Sequence, residues 1–453
     1  MHFDVIVVGA GPAGEVAAGG LAERGLSVAV VERELVGGEC AYWACMPSKA
    51  LLRPAELLAE AARVPGAAQA LSGPLDVEAT LARRDEVISH LDDSHQLPWL
   101  RERGITLLRG HAQLDGELAV TVDGDRHTAG RAVVLATGST AALPDVPGLA
   151  QAQPWTNREA TTAGAIPERL LVLGGGAVGV EMAQAYATLG ARITLIEPRE
   201  RLISGEEEFA SEQVAQALRE RGVDVRVGTS AAAVTRVHGT VRVELAGGGT
   251  VVADELLVAT GRRPRTRELG LERVGLSPGE EIEVDERLRV RGLPWLFALG
   301  DVNGRSLLTH VGKYQARIAA AVIAGEDAAL RGEDVAAPRV TFTDPQVAAV
   351  GLTLALARER GIDARACDVE TSDSAGASFH GRGTKGTSRL VLDRARGVIV
   401  GATFTGTEVA EWLHAATIAI VGEVPLERLW HAIPSFPTRS EVWLELLERA
   451  SAT

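Results

Sequence analysis

Val5–Glu34 reads VIVVGAGPAGEVAAGGLAERGLSVAVVERE, and the rest of the chain takes its meaning from this stretch. Four apolar residues form a strand that runs into Gly9-x-Gly11-x-x-Gly14, and an Ala-rich helix follows. The first glycine makes the tight turn, the second lets backbone approach a pyrophosphate, and the third packs the helix against the sheet. Glu32 closes the second strand, where an acid accepts hydrogen bonds from a ribose. Leu171–Glu200, LVLGGGAVGVEMAQAYATLGARITLIEPRE, repeats the whole unit. Gly174, Gly176 and Gly179 fall at the same offset as Glu197, so the two copies agree at both ends. Each copy is later echoed by a second strand, VVLATG ending at Gly138 and LLVATG ending at Gly261. Two such modules call for two dinucleotides, most economically a flavin and a nicotinamide. Glu197 favours the free 2′-hydroxyl of NAD(H), because a 2′-phosphate would be repelled there, although Arg199 and Arg201 stand close enough in sequence to receive one.

The expected architecture is α/β: two Rossmann-like dinucleotide-binding domains and a C-terminal α+β domain. Residues 1–147 and 265–335 are read as the two parts of one dinucleotide-binding domain, 148–264 as a second inserted between them, and 336–453 as the α+β domain, which has no dinucleotide signal. The junction Pro144-Asp145-Val146-Pro147-Gly148 is rich in turn residues. Residues 50–103 have helical periodicity, whereas TLLRGHAQL and ELAVTV alternate as strands. Beyond Pro338 the texture changes to RVTFTD, RLVLD and VIVGATFTG, with helices expected over 408–421 and 440–450.

A chain of 453 residues exceeds one compact core. Its net charge of −14 opposes sequence-independent binding to nucleic acid or anionic lipid. No apolar run approaches the roughly 18–20 residues that span a bilayer. The short apolar start lacks a basic leader and reads as a first strand, not a signal peptide, so the expected compartment is the cytoplasm.

Three cysteines are present. Cys367 stands alone, but Cys40 and Cys45 frame CAYWAC behind Gly37-Gly38. In a regular helix, residues five apart have Cα atoms about 8–9 Å apart, and a disulfide needs about 4.4–6.8 Å. Bridging therefore requires a distorted first turn, which the glycines permit, and a distorted bridge is easier to reduce. A helix N-terminus also favours the thiolate. The four-residue gap and the lack of a second Cys/His cluster argue against a metal site. Tyr42 and Trp43 are read as helix packing, with a flat aromatic entrance as the alternative.

GAGPAG, GGECAYWACMPSK, the two ATG strands, GGGAVGVE, Leu299-Gly300-Asp301 and FTDPQVAAVGLT occur in the order found in class I pyridine nucleotide-disulfide oxidoreductases, which the chain resembles over essentially its whole length. The resemblance implies an FAD-binding domain in residues 1–147 and 265–335, an NAD(P)H-binding domain in 148–264, and a dimerisation/interface domain in 336–453 that forms a homodimer whose active site is shared between subunits. It implies that Cys45 is the cysteine next to the flavin and Cys40 the one that exchanges with substrate. Lys49 and Glu181 resemble the ion pair beside the flavin, Asp301 and Gly300 the ribitol contact, and Ala112 a backbone contact to adenine. Ala177 stands where some members place a tyrosine over the nicotinamide.

One position departs from the pattern. The family places a histidine five residues before a glutamate near the C-terminus. Here the glutamate is Glu441, but the residue five before it is Phe436, and His431 is out of register. Phenylalanine holds no proton, and acid/base help of this kind is worth about 10²–10⁴ in rate. The expected acceptor is thus a disulfide, a quinone or another small electron sink that needs little proton management. The alternatives are ketopropyl-coenzyme M-type reductase/carboxylase chemistry, whose branch also carries phenylalanine but replaces the glutamate, and a redox sensor that keeps only the fold.

Overall fold

A computed structural model describes residues 1–451, which divide into two compact units. The first comprises Met1–Pro47, Arg83–Ala142 and Gly261–Glu333. Its main sheet runs in the order Arg289–Val290, Leu293–Ala298, Asp125–Leu135, His2–Val8, Val28–Glu32, Thr106–Arg109, with Ala112–Leu114 and Ala119–Val122 attached as a meander beside Asp125–Leu135. His2–Val8 pairs in parallel with both neighbours. Val5, Ile6, Val7, Val30, Val133 and Leu296 are fully buried, as expected of parallel strands covered on both faces. The helix Pro12–Glu23 lies against Thr309–Ala324, and small residues let them approach closely: a Cβ on Gly20 would sit 3.2 Å from that of Ala320.

The second unit comprises Ser48–Ala82, Leu143–Thr260 and Asp334–Thr453. Its parallel sheet has the order Asp224–Arg226, Arg192–Ile196, Arg169–Leu173, Glu255–Val258, and a three-stranded antiparallel sheet of Ala231–Val237, Thr240–Leu245 and Thr250–Ala253 accompanies it. The C-terminal part forms a five-stranded antiparallel sheet, Arg339–Thr341, Gln346–Gly351, Val398–Gly406, Thr387–Asp393, Ala364–Glu370. Phe404 stacks on Trp412 at 5.6 Å in its core.

Residues 48–82, given by the sequence reading to the first domain, pack with this second unit. The reason lies in the helix Cys45–Arg63, whose Leu51 and Leu52 join the core of Val180 and Tyr186. Its Arg63 pairs with Asp344. Several elements are also shorter than their periodicity suggests. TLLRGHAQL breaks at Gly110, where a side chain would strike the Asp123 carboxylate, so it forms two strands. The expected helix over 408–421 begins with a 3₁₀ turn at Val409–Trp412 and becomes α-helical only at Leu413–Val421. That over 440–450 begins with a 3₁₀ turn at Arg439–Glu441.

Candidate active site

The first unit holds one glycine turn, the cysteine pair and the Asp301 segment. At Gly9 (φ 103°) a Cβ would lie 2.4 Å from the Ala136 carbonyl oxygen, and at Gly14 it would lie 1.9 Å from that of Gly9. Strand and helix therefore meet at a distance only glycine allows, with the helix start open for an anion. Gly11 caps that helix in extended conformation. Glu32 accepts from the Ala10 and Glu34 N–H groups, both at 2.8 Å. This fixes the carboxylate beside the turn that would carry a pyrophosphate.

The loop before the cysteines is sewn to the same turn. Gly37 N–H donates to the Ala10 carbonyl at 2.8 Å. A Cβ on Gly38 (φ 62°) would come within 2.7 Å of the Gly11 Cα. Cys40 then sits in the short helix Gly38–Tyr42, which ends at Trp43, and Cys45 opens the next helix, Cys45–Arg63. The distortion anticipated for a helical first turn is thus a full break between two helices. Tyr42 is buried and donates to the Val36 carbonyl at 3.0 Å, while its ring lies tilted against Trp43 at 5.7 Å. That is packing. The Cys45 Sγ and Thr309 Oγ1 are 3.5 Å apart. The Cys40 thiol is pushed well up, first by its hydrogen bond to Cys45, then by burial and by the Cys45 charge.

Asp301, in the 3₁₀ turn Gly300–Asn303, accepts from Ser139 Oγ at 2.5 Å, and Arg262 Nε donates to the same hydroxyl at 2.6 Å. Arg262 and Arg265 both approach Glu39, at 3.6 and 3.1 Å. Gly300 N–H donates to Gln315 Oε1 at 2.8 Å, Ala112 is buried in the strand Ala112–Leu114, and Gly138 and Gly261 stand at positive φ directly before the short strands Ser139–Ala141 and Arg262–Pro264. Thr309, Ser139, Arg262 and Glu39 escaped the sequence reading. Arg262 follows the second ATG strand directly, which was a usable signal; a lone threonine in a loop offers none.

The second unit repeats the glycine geometry almost atom for atom. A Cβ on Gly174 would lie 2.4 Å from the Ala259 carbonyl oxygen, and one on Gly179 would lie 1.8 Å from that of Gly174. Gly176 caps the helix Ala177–Thr188, and Glu197 accepts from Gly175 and Arg199 N–H at 2.6 and 2.9 Å. Arg199 and Arg201 are turned to other partners, including Ser204 and Ser211. Glu181 is buried and fully engaged: Lys49 Nζ lies 2.7 Å from one oxygen and the Phe342 N–H donates to the other at 2.9 Å. The Lys49 ammonium also lies 4.6 Å from the Phe342 ring centre.

Phe436 is 76 % exposed in the single chain. Glu441 Oε2 is buried without a hydrogen-bond partner among the described residues, as are Nε and Nη1 of Arg439. His431 is exposed. Among the described residues no cluster of His, Cys, Asp and Glu suited to a metal ion occurs, and no helix is long and apolar enough to cross a membrane.

Residues 3–328 match the family model "Pyridine nucleotide-disulphide oxidoreductase", and residues 337–447 match the dimerisation domain of the same family. Among curated relatives, a dihydrolipoyl dehydrogenase of Thermus scotoductus is 34 % identical over 98 % of this chain and 97 % of its own length. A mercuric reductase of Streptomyces lividans is 35 % identical over 95 % and 93 %. Among solved structures, LpdA of Mycobacterium tuberculosis superposes with a TM-score of 0.87 at 26 % identity, covering 98 % of this chain and 99 % of the other. The HOCl-induced flavoprotein disulfide reductase RclA of Escherichia coli gives the same TM-score and coverage at 24 % identity, a likeness of fold.

Proposed function

This chain belongs to the pyridine nucleotide-disulphide oxidoreductases, FAD-dependent enzymes with a dimerisation domain, and from that premise we propose that it is an NADH-linked reductase delivering electrons through Cys40 and Cys45 to a small acceptor. The observation that carries the reading is the cysteine pair itself, with Cys45 at the start of a helix, against Thr309, in the unit that also holds the first glycine turn.

The residues fit the implied cofactors. The cradle at Gly9, Gly11 and Gly14 excludes a side chain at its first and third glycines and has Glu32 fixed beside it, which suits the pyrophosphate and ribose of FAD, with Asp301, Gly300, Ala112 and Gly138 carrying the contacts the resemblance assigns. Gly174, Gly176, Gly179 and Glu197 suit NAD(H), and Gly261 closes the ATG stretch that echoes this module in the sequence. Two backbone N–H groups hold Glu197 in place as a fixed acceptor, and its charge repels a 2′-phosphate. When bound, the flavin would supply hydride acceptance from nicotinamide and two electrons for the disulfide. Those electrons break the Cys40–Cys45 bond, and the dithiol keeps one proton between its sulfurs. Cys40, the outer sulfur by the family pattern, then attacks or reduces the acceptor. The Lys49–Glu181 pair is assigned to the flavin by the same pattern.

Phe436 narrows the acceptor. With no imidazole at that position, release of a thiol product lacks its usual proton donor, so an acceptor that leaves as a stabilised anion or takes electrons directly is favoured. The test is an anaerobic acceptor screen with NADH and NADPH side by side, covering lipoamide, small disulfides, quinones and metal ions. NADH should give the higher kcat/KM, and Cys40→Ser should stop turnover while leaving the flavin reducible. Turnover that survives Cys40→Ser would overturn the route through the pair.

A further inference from the structure

Glu15 and Lys313 have no part in the route above, yet both are ionisable and both lie in the unit that carries the cysteines. Lys313 is one of three lysines in the chain. It follows Thr309 by one helical turn on Thr309–Ala324, so the two side chains share a face. Thr309 is the residue at 3.5 Å from the Cys45 sulfur. Glu15 stands in the first turn of Pro12–Glu23, the helix that lies against Thr309–Ala324. The two backbones approach closely there: a Cβ on Gly312, next to Lys313, would be 3.3 Å from that of Ala13.

From this cluster we infer that Lys313 supplies the positive field that stabilises the thiolate of the reduced Cys40–Cys45 pair, and that Glu15 is the positioning residue that competes for that field. The Cys40 thiol is pushed up by its hydrogen bond to Cys45 and by burial, and the Lys313 charge offsets part of that rise, as it offsets part of the rise that burial imposes on the Glu15 carboxyl. Burial outweighs the second effect and pushes the Glu15 carboxyl up to about 7, with the Glu32 carboxylate adding to it. The groups around Glu15 are therefore Lys313 from the neighbouring helix, Glu32 from the strand Val28–Glu32, and Tyr42, whose hydroxyl feels the Glu15 charge. Below neutrality Glu15 is protonated and neutral, and the Lys313 field is left to the sulfurs. Above neutrality the carboxylate draws on that field and the thiolate loses part of its support.

The chemistry balances without an added reagent. The hydride of the nicotinamide carries two electrons and one proton: the electrons break the S–S bond, and the proton leaves one sulfur of the pair as thiol and the other as thiolate. The inference concerns only where that last thiolate charge is held. It also gives the chain a source of proton sensitivity inside one subunit, at an enzyme whose Phe436 cannot titrate.

The inference rests on the cysteine pair being the redox pair, and the experiment separates the two. Holoenzyme is reduced anaerobically with NADH, and iodoacetamide labelling of the Cys40–Cys45 peptide is followed by mass spectrometry from pH 5 to 9. Failure of NADH to expose either thiol in the unaltered protein would sink the redox reading itself. If labelling occurs, Lys313→Met should slow it at pH 7 by about three- to tenfold, a rise of up to about one unit in the apparent thiol pKa. Glu15→Gln should speed it at pH 7 to 8 by about two- to fivefold and remove the inflection near neutrality. The double variant should lie near Lys313→Met, because Glu15 acts through the lysine. Flavin content and melting temperature confirm that each variant is folded. Folded single variants that keep the original pH profile, or that move labelling in the same direction, would overturn the inference.

Discussion

Phe436 is the residue whose replacement is most informative. Phe436→His restores the side chain that the family pattern places five residues before the glutamate, next to a Glu441 whose buried oxygen has no partner among the described residues. Lipoamide-type disulfide reduction should rise by about tenfold or more, within the range general acid catalysis supplies. An unchanged steady-state rate would show that another group, such as His431, already fills the role. Glu181 tests a different kind of contact. Glu181→Leu strands the Phe342 N–H and the Lys49 ammonium, and each lost partner costs about 1–3 kcal/mol. The urea midpoint of the holoenzyme should fall accordingly. Glu15 acts on stability with the opposite sign. Its carboxyl is raised from 4.5 to about 7, so the folded state binds the extra proton and loses stability as pH rises between those values. Glu15→Gln should therefore be more stable than the unaltered protein at pH 8, by about 1–3 kcal/mol, with the difference vanishing near pH 4.5. Urea titrations at the two pH values read this directly.

At the scale of elements, the two strand–turn–helix units make separable predictions because the same clash protects each. Gly14→Val drives a side chain into the Gly9 carbonyl and should yield protein without bound flavin. Gly179→Val does the same at Gly174 and should leave the protein yellow while raising KM for NADH at least tenfold. Visible absorbance and steady-state kinetics distinguish them; loss of colour in Gly179→Val would show that the modules do not load independently. These turns were legible in the sequence because their constraint is local: a Cβ meets backbone in the same unit, so glycine stands there in both copies. Glu32 and Glu197 were legible for the same reason, each at the end of a strand with a fixed distance to its turn. Thr309 and Lys313 were not, since their importance comes from a helix contributed more than two hundred residues after Cys45. Glu15 was misleading in isolation, because an acid in the first turn of a helix usually needs no explanation beyond the helix dipole. The break between the cysteines was half legible: spacing excluded a regular helix, but not which residue ended it.

For the whole molecule, residues 337–447 match the family's dimerisation domain, and the same region exposes apolar residues that a dimer contact is expected to cover. Ile433 is 90 % exposed, and Phe436, Trp430, Ile418 and Val421 are also exposed. Ile433→Asp should lower the dimer fraction at micromolar concentration, read by sedimentation equilibrium, and lower turnover in proportion if the active site is completed across subunits. A monomer with full activity would show that each chain works alone. The first unit carries a different lesson. Its sulfur-bearing loop has Gly37 hydrogen-bonded to Ala10 and Gly38 seated on Gly11, so two pieces of chemistry share one rigid support. Anyone diversifying positions 37 and 38 to retune the thiols would be selecting for nucleotide retention in the same screen, and would see chiefly colourless clones. Retuning has to come from the far side, through the helix that begins at Thr309, where a substitution can reach the sulfur without disturbing the anchor.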